Sequence, residues 1–494
     1  MKPKIYLLIL MACAQFAVYA QSGKISQQQY IEQQQRAFRK FAQSTDEKFK
    51  KYKDSLNAVY ANYLTQEWKR FELFKPDPLI KNPIKKPPVY DPNTPKPEPE
   101  KVPVIGQPEP VKPQPKPQPA PEPQPQPQPD VPPATIQAEL FGTPVTFPRY
   151  TKSIPPLHGV GEKEVAAFWN TLSALPYYDW TNDLQRIAAD LNLNDWGMYM
   201  LANKMFETYF PHGTANEKTV FAVFMLNQLG YRAKIGRAQN ELLPLVAFQN
   251  DVYNTTYFIY GDDNTEYSVV NFQHKDLPSI QTCRMEYPNA TRNVDLRIAA
   301  APRWAVSQRT KTLSDKKNNY EIGYNKNMVD FYATYPCVTF SVYAEAAMDN
   351  LVTKSIEAQL KPKIQGKSQE DAINILLHFV QYAFEYKTDN DQFGYERWFF
   401  AEETVASSYS DCEDRSILFA QLVRRLLGMK VVLIHYPGVH LATAVKFDNP
   451  NITGDYLTVD GQRYLICDPT YIGANLGMSM PDLRAKAVEV IKLK

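Results

Sequence analysis

The sequence is poor in the residues that build metal and disulfide chemistry, with six histidines and five cysteines in 494 residues. The histidines include no His-Glu-x-x-His pair, so a zinc protease lacks its helix-borne ligands. A phosphate-cradling glycine loop and a Gly-x-Ser-x-Gly elbow are both missing, which leaves nucleotide-dependent and serine-hydrolase chemistry without a motif. Charge of one sign is missing too: the formal net charge is +2, and nucleic-acid binding gets no electrostatic footprint. No run is apolar and long enough to cross a bilayer, so no transmembrane segment is expected. Cysteine is too sparse for a disulfide scaffold.

What is present divides the chain into five stretches. Residues 1–20 read as a secretory signal peptide, with Lys2 and Lys4 before an apolar run and Val18-Tyr19-Ala20 at the cleavage positions. Export to the periplasm or cell surface follows from that reading. Leu10-Met11-Ala12-Cys13 gives the alternative of lipid anchoring at Cys13. Residues 21–75 carry Phe49, Tyr52, Leu56, Val59 and Tyr63 at three- and four-residue steps, with Trp68 and Phe71 continuing after a slip. That spacing predicts an amphipathic helix suited to a coiled coil or to self-association.

Residues 76–134 hold over half of the 40 prolines. Such a tract is expected to be an extended linker, reaching roughly 180 Å at about 3.1 Å per residue. Residues 135–300 and 301–494 are expected to be two folded domains. The second contains the densest chemistry. Ser410-Asp411-Cys412-Glu413-Asp414 precedes an apolar helix stopped by Gly428; His440 opens a strand after Tyr436-Pro437-Gly438; Asp468-Pro469-Thr470 ends another strand. A helix N-terminus favours a thiolate, a strand rim presents an imidazole, and a neighbouring strand end supplies a carboxylate to orient it. His435 competes with His440 but reads as more buried, and Cys467 reads as a small strand residue.

The same helix-glycine-strand order occurs earlier. Setting Gly230 on Gly428 brings Leu229 onto Leu427 and Ala222 onto Ala420, with Thr214 at the position of Cys412, and setting Tyr267 on Tyr464 places Asn271 at that of Asp468. No histidine matches His440. The reading is an internal repeat that lacks the chemistry.

Residues 398–403, the Ser410–Asp414 motif, the helix to Gly428, His440 and Asp468-Pro469-Thr470 together resemble the transglutaminase-like cysteine hydrolase superfamily. The acidic cysteine motif is most similar to the bacterial transglutaminase-like cysteine peptidases. The resemblance covers roughly residues 370–475. It implies an α+β fold of the transglutaminase-like (papain-like) kind, helices packed on an antiparallel sheet, duplicated with a degenerate first copy. It implies Cys412 as nucleophile, His440 as base and acid, and Asp468 as the histidine's partner. The substrate class is then a protein or peptide, in a cell-envelope protein or peptidoglycan stem, cleaved through a thioester.

Ser410 replaces the family's usual glycine, and Leu441-Ala442 replaces the aromatic after the histidine. No cofactor is required for this chemistry, although relatives that hold calcium through acids flanking the cysteine would map it onto Asp411 and Glu413. The alternatives are a non-catalytic envelope binding or scaffold protein and a cross-linking acyltransferase. The pairing of Cys283 with Cys337 is left open.

Overall fold

The computed structural model describes residues 27–106, 135–270 and 277–494. The expected signal, Cys13, residues 107–134 of the proline tract and Asn271 lie outside them. The chain forms two compact units, residues 1–62 and Tyr63–Lys494. The first is built on the helix Gln27–Leu64, on which Phe49, Tyr52 and Val59 of the expected stripe are exposed. The helix stops at Leu64 rather than running to 75. Trp68 Nε1 donates to the Leu64 carbonyl at 3.1 Å and closes the helix end, and Phe71 then sits in a strand, Lys69–Glu72. The slip in the apolar spacing marks this break.

The second unit contains two six-stranded sheets. The first runs Lys69–Glu72, Ser279–Thr282, Ala233–Ala238, Glu241–Val246, Thr265–Val269, Tyr257–Tyr260. The second runs Val104–Gly106, Val488–Lys492, Val431–Tyr436, His440–Val445, Gln462–Cys467, Tyr456–Val459. The order of connection is the same in both. An early strand forms one edge, a late strand lies beside it, then come the hairpin partners and, last, the fourth and third strands of the series. Within these two sheets all pairings are antiparallel except that of Val104–Gly106 with Val488–Lys492, which is parallel. Each series follows an apolar helix, Ala215–Gln228 or Cys412–Leu427. Those helices stop at Gly230 and Gly428, whose φ values of 89° and 66° suit a residue without Cβ. Asp460 and Gly461, at φ 48° and 73°, form a tight hairpin turn.

Residues 63–494 form one compact unit. The C-terminal stretch forms the strand Val488–Lys492, where Val488 and Val490 are buried and Glu489 and Ile491 less so, a period of two. After the short strand Cys337–Val338 the chain turns into the helix Phe340–Glu345. The largest correction concerns the linker. Residues 76–106 are not a free spacer. Ile80 and Val102 are buried, and Val102 packs with Val432, Ile434, Tyr436 and Ile466 in the core under the second sheet. Proline lacks a donor but keeps its carbonyl. The segment therefore attaches through proline carbonyls and through the N–H groups of the residues between them. Among the described residues no helix is long and apolar enough to cross a membrane.

Candidate functional site

The helix Cys412–Leu427 begins at Cys412 with Asp411 as its cap, and the Asp411 N–H donates to Asp414 Oδ2 at 3.4 Å. One turn on, Ser416 Oγ donates to the Leu441 carbonyl at 2.9 Å and ties the helix start to the strand of His440. Arg415 is buried, donating from Nη2 to the Phe384 carbonyl at 2.8 Å and from Nε to Ser410 Oγ at 3.0 Å. These contacts fix the helix end against the sheet rim.

Register brings the other two residues together. Thr443 lies opposite Cys467, so Asp468 falls just beyond the ladder and reaches diagonally toward His440. His440 Nε2 lies 2.9 Å from Asp468 Oδ2. Asp468 Oδ1 accepts the Thr470 N–H at 2.9 Å, and Gln381 Nε2 holds the Asp468 and Ala474 carbonyls at 3.3 and 3.0 Å. A carboxylate on Nε2 places the ring proton there and leaves Nδ1 with its lone pair. That Nδ1 is buried and has no hydrogen-bond partner. His435, the competitor, has both ring nitrogens engaged, by Glu489 Oε2 at 2.9 Å and the Leu79 carbonyl at 3.0 Å.

Cys412 departs from expectation. Its thiol donates to Glu413 Oε2 at 2.9 Å rather than to His440. Cys412 and His440 are both 0% exposed, whereas the strand rim was expected to leave the imidazole partly open. Burial, then Glu413 and Asp411, push the Cys412 thiol well above the usual thiol range, and the Leu441 N–H facing the sulfur opposes this. The helix terminus alone does not produce a thiolate, because two neighbouring acids outweigh a partial dipole charge.

A further cluster was not visible in the sequence. Asp389, Asp411 and Asp414 each place a carboxylate oxygen within 4.8 Å of the others. Backbone donors hold part of it: Arg397 N–H to Asp389 Oδ2 at 2.7 Å and Phe399 N–H to Asp414 Oδ1 at 2.8 Å. Oδ1 of Asp389 and of Asp411 are buried without a partner. Burial first, with mutual repulsion for Asp389 and Asp414, raises all three carboxyls above the usual carboxylate range. Either protons or a cation must offset this charge. Of the two acids expected to hold calcium, Asp411 belongs to this cluster, while Glu413 engages the thiol. Asp389 lies 22 residues before Asp411 and follows Thr388 in an ordinary helix-capping pattern, so no spacing announced it.

In the first sheet the corresponding places carry other residues. Thr214 caps its helix, accepting the Glu217 N–H at 3.2 Å, so it matches Asp411 rather than Cys412, and Ala215 occupies the nucleophile's place. Thr219 Oγ1 donates to the Leu242 carbonyl at 3.1 Å, repeating the Ser416–Leu441 tie. Glu241 opens the strand where His440 does in the second sheet. All four described cysteines are buried and outside any disulfide, so Cys283 and Cys337 are not paired. No family model matches the chain, and comparison with curated proteins and with solved structures finds no match.

Proposed function

We propose that the Tyr63–Lys494 unit is an exported thiol hydrolase of transglutaminase-like kind, acting on peptide, isopeptide or amide bonds. One observation carries the reading: the 2.9 Å bond of His440 Nε2 to Asp468 Oδ2, with Nδ1 left unpartnered beside a helix that starts at Cys412. In the proposed reaction the thiol turns from Glu413 to Nδ1 and gives up its proton. The thiolate sulfur bonds to the substrate carbonyl carbon, the C–N bond breaks, and the amine leaves with the proton from Nδ1. Water, deprotonated by the same nitrogen, then cleaves the thioester and restores the thiol. Asp468 holds the ring and stabilises its charged form throughout. The matched strand order of the two sheets supports a duplication whose first copy, with Ala215 and Glu241 at the reactive places, does no chemistry. The basic and apolar start of the sequence supports export toward envelope protein or peptidoglycan substrates.

Asp389, Asp411 and Asp414 suit a hard divalent cation such as calcium, which takes carboxylate oxygens. When bound it would neutralise the negative charge that keeps the neighbouring thiol protonated. The competing reading is a scaffold or binding protein, and the buried, protonated thiol is the observation in its favour. Iodoacetamide labelling at neutral pH separates the two. Cys412 should label at least tenfold faster than Cys467, with His440→Ala removing the difference. Equal, slow labelling of both cysteines in the wild type and in an Ile80→Asp variant sinks the enzyme.

A further inference from the structure

We infer that the Gly438 turn is a docking edge for an extended polypeptide, and that residues 79–82 of this chain are its resident occupant, keeping Cys412 covered. The inference rests on the reading of Cys412 as the nucleophile. A thiol that attacks a polypeptide must meet it, yet Cys412 and His440 are fully buried. The turn that delivers His440 carries a bonded segment, the proline-rich strap of residues 76–106.

Its attachment has the form of strand addition. The Gly438 N–H donates to the Leu79 carbonyl at 3.0 Å, and the Gly438 carbonyl accepts from the N–H groups of Lys81 and Asn82 at 3.1 and 2.8 Å. Gly438 lies two residues before His440, in the turn that delivers it. His435 Nε2 donates to the same Leu79 carbonyl at 3.0 Å. Ile80 is 1% exposed, after half-buried Leu79 and before exposed Lys81 and Asn82, so one branched aliphatic side chain anchors the segment while the residues that follow it face outward. A second hold flanks the third site residue. Tyr90 N–H donates to the Ile472 carbonyl at 2.8 Å and Ile472 N–H to that of Pro88 at 3.0 Å, four residues after Asp468.

Main-chain pairing plus one side-chain pocket is how sheet edges and turns take extended peptides. The strap therefore identifies the ligand class by its own chemistry: an extended polypeptide with an aliphatic residue flanked by prolines. On its far side the segment is not packed tightly. A cavity of about 550 Å³ separates it from residues 388–398, with Lys75, Lys81 and Lys85 on one wall and Asp391 and Glu396 on the other. Residues 80–82 border that open space, while Val102 further along the strap stays in the core under the second sheet.

The test uses full-length protein with Ile80→Asp, and separately with Lys81→Pro and Asn82→Pro together, which removes both donors to Gly438. Each release variant should raise the iodoacetamide rate at Cys412 at least tenfold, with Cys467 remaining protected as a sign of intact folding. A synthetic peptide spanning residues 75–86, added at millimolar concentration, should slow labelling in the Ile80→Asp protein, and a scrambled peptide should not. Hydrogen exchange at the Gly438 amide should accelerate in parallel. Unchanged labelling and exchange in both variants, or fast labelling that the peptide leaves untouched, overturns the inference. Faster labelling that survives His440→Ala keeps the docking edge and removes the nucleophile reading beneath it.

Discussion

The arrangement of His440 and Asp468 makes a directional demand that one substitution exposes. Asp468 Oδ1 accepts the Thr470 N–H at 2.9 Å while Oδ2 takes His440 Nε2 at 2.9 Å. In Asp468→Asn the amide oxygen must stay on the Thr470 donor, which turns the NH2 toward Nε2. Nε2 then has to accept, its proton moves to Nδ1, and the ring presents N–H where the thiol needs a lone pair. A charge-assisted hydrogen bond of roughly 1.5–3 kcal/mol is lost. Two unit charges about 4 Å apart attract by about 4 kcal/mol at an effective dielectric of 20, so the charged ring also loses its partner. The two effects overlap. Taken once, about 4 kcal/mol corresponds to roughly a thousandfold in rate. The assay is the second-order rate of iodoacetamide labelling at Cys412 in the Ile80→Asp protein, read by mass spectrometry at pH 7. Asp468→Ala, which imposes no tautomer, should lose less than Asp468→Asn. An Asn variant within threefold of its parent, or one faster than Ala, refutes the tautomer argument.

Burial lifts the Glu402 carboxyl from its usual range to about 8. The folded state therefore prefers the protonated acid; that contribution is present below about pH 4.5 and is lost as pH rises through 8. Glu402→Gln should flatten the fall in urea stability between pH 5 and pH 8 and gain about 4 kcal/mol at the upper end, whereas parallel curves for the two proteins would contradict this. Millimolar calcium at a hundredfold excess over its dissociation constant should raise the melting temperature by about 3 °C. Asp389→Asn with Asp411→Asn should abolish that response, and a shift that persists in the double variant would place the cation elsewhere.

The parts of the fold set by local chemistry were legible. The apolar face of Cys412–Leu427, its glycine stop at Gly428 and the Asp460-Gly461 hairpin follow from spacing and backbone preference. The alignment of Gly230 on Gly428 foreshadowed the common strand order of the two sheets, though the cap geometry moves the match by one residue, from Thr214 to Ala215. His440 and Asp468 were legible as a pair because register follows from a short hairpin. The Cys412–Glu413 bond was not, since rotamer choice among several acids depends on what packs around them. Asp389 was hidden for a related reason: it reaches the cluster by tertiary folding alone. The strap was misread because prolines argue against a core element, and they do not argue against a segment that borrows one.

The two edge strands have a consequence for how the protein comes into being. Lys69–Glu72 finds its partner at Ser279–Thr282, and Val104–Gly106 finds its partner only at Val488–Lys492. During synthesis the early segment therefore waits for more than three hundred further residues before the second sheet can close its margin. Contacts so distant in the chain make folding slow, and an open strand margin invites pairing with other molecules meanwhile. Chains that emerge together are the natural hazard, so the yield of native protein should depend steeply on its rate of production.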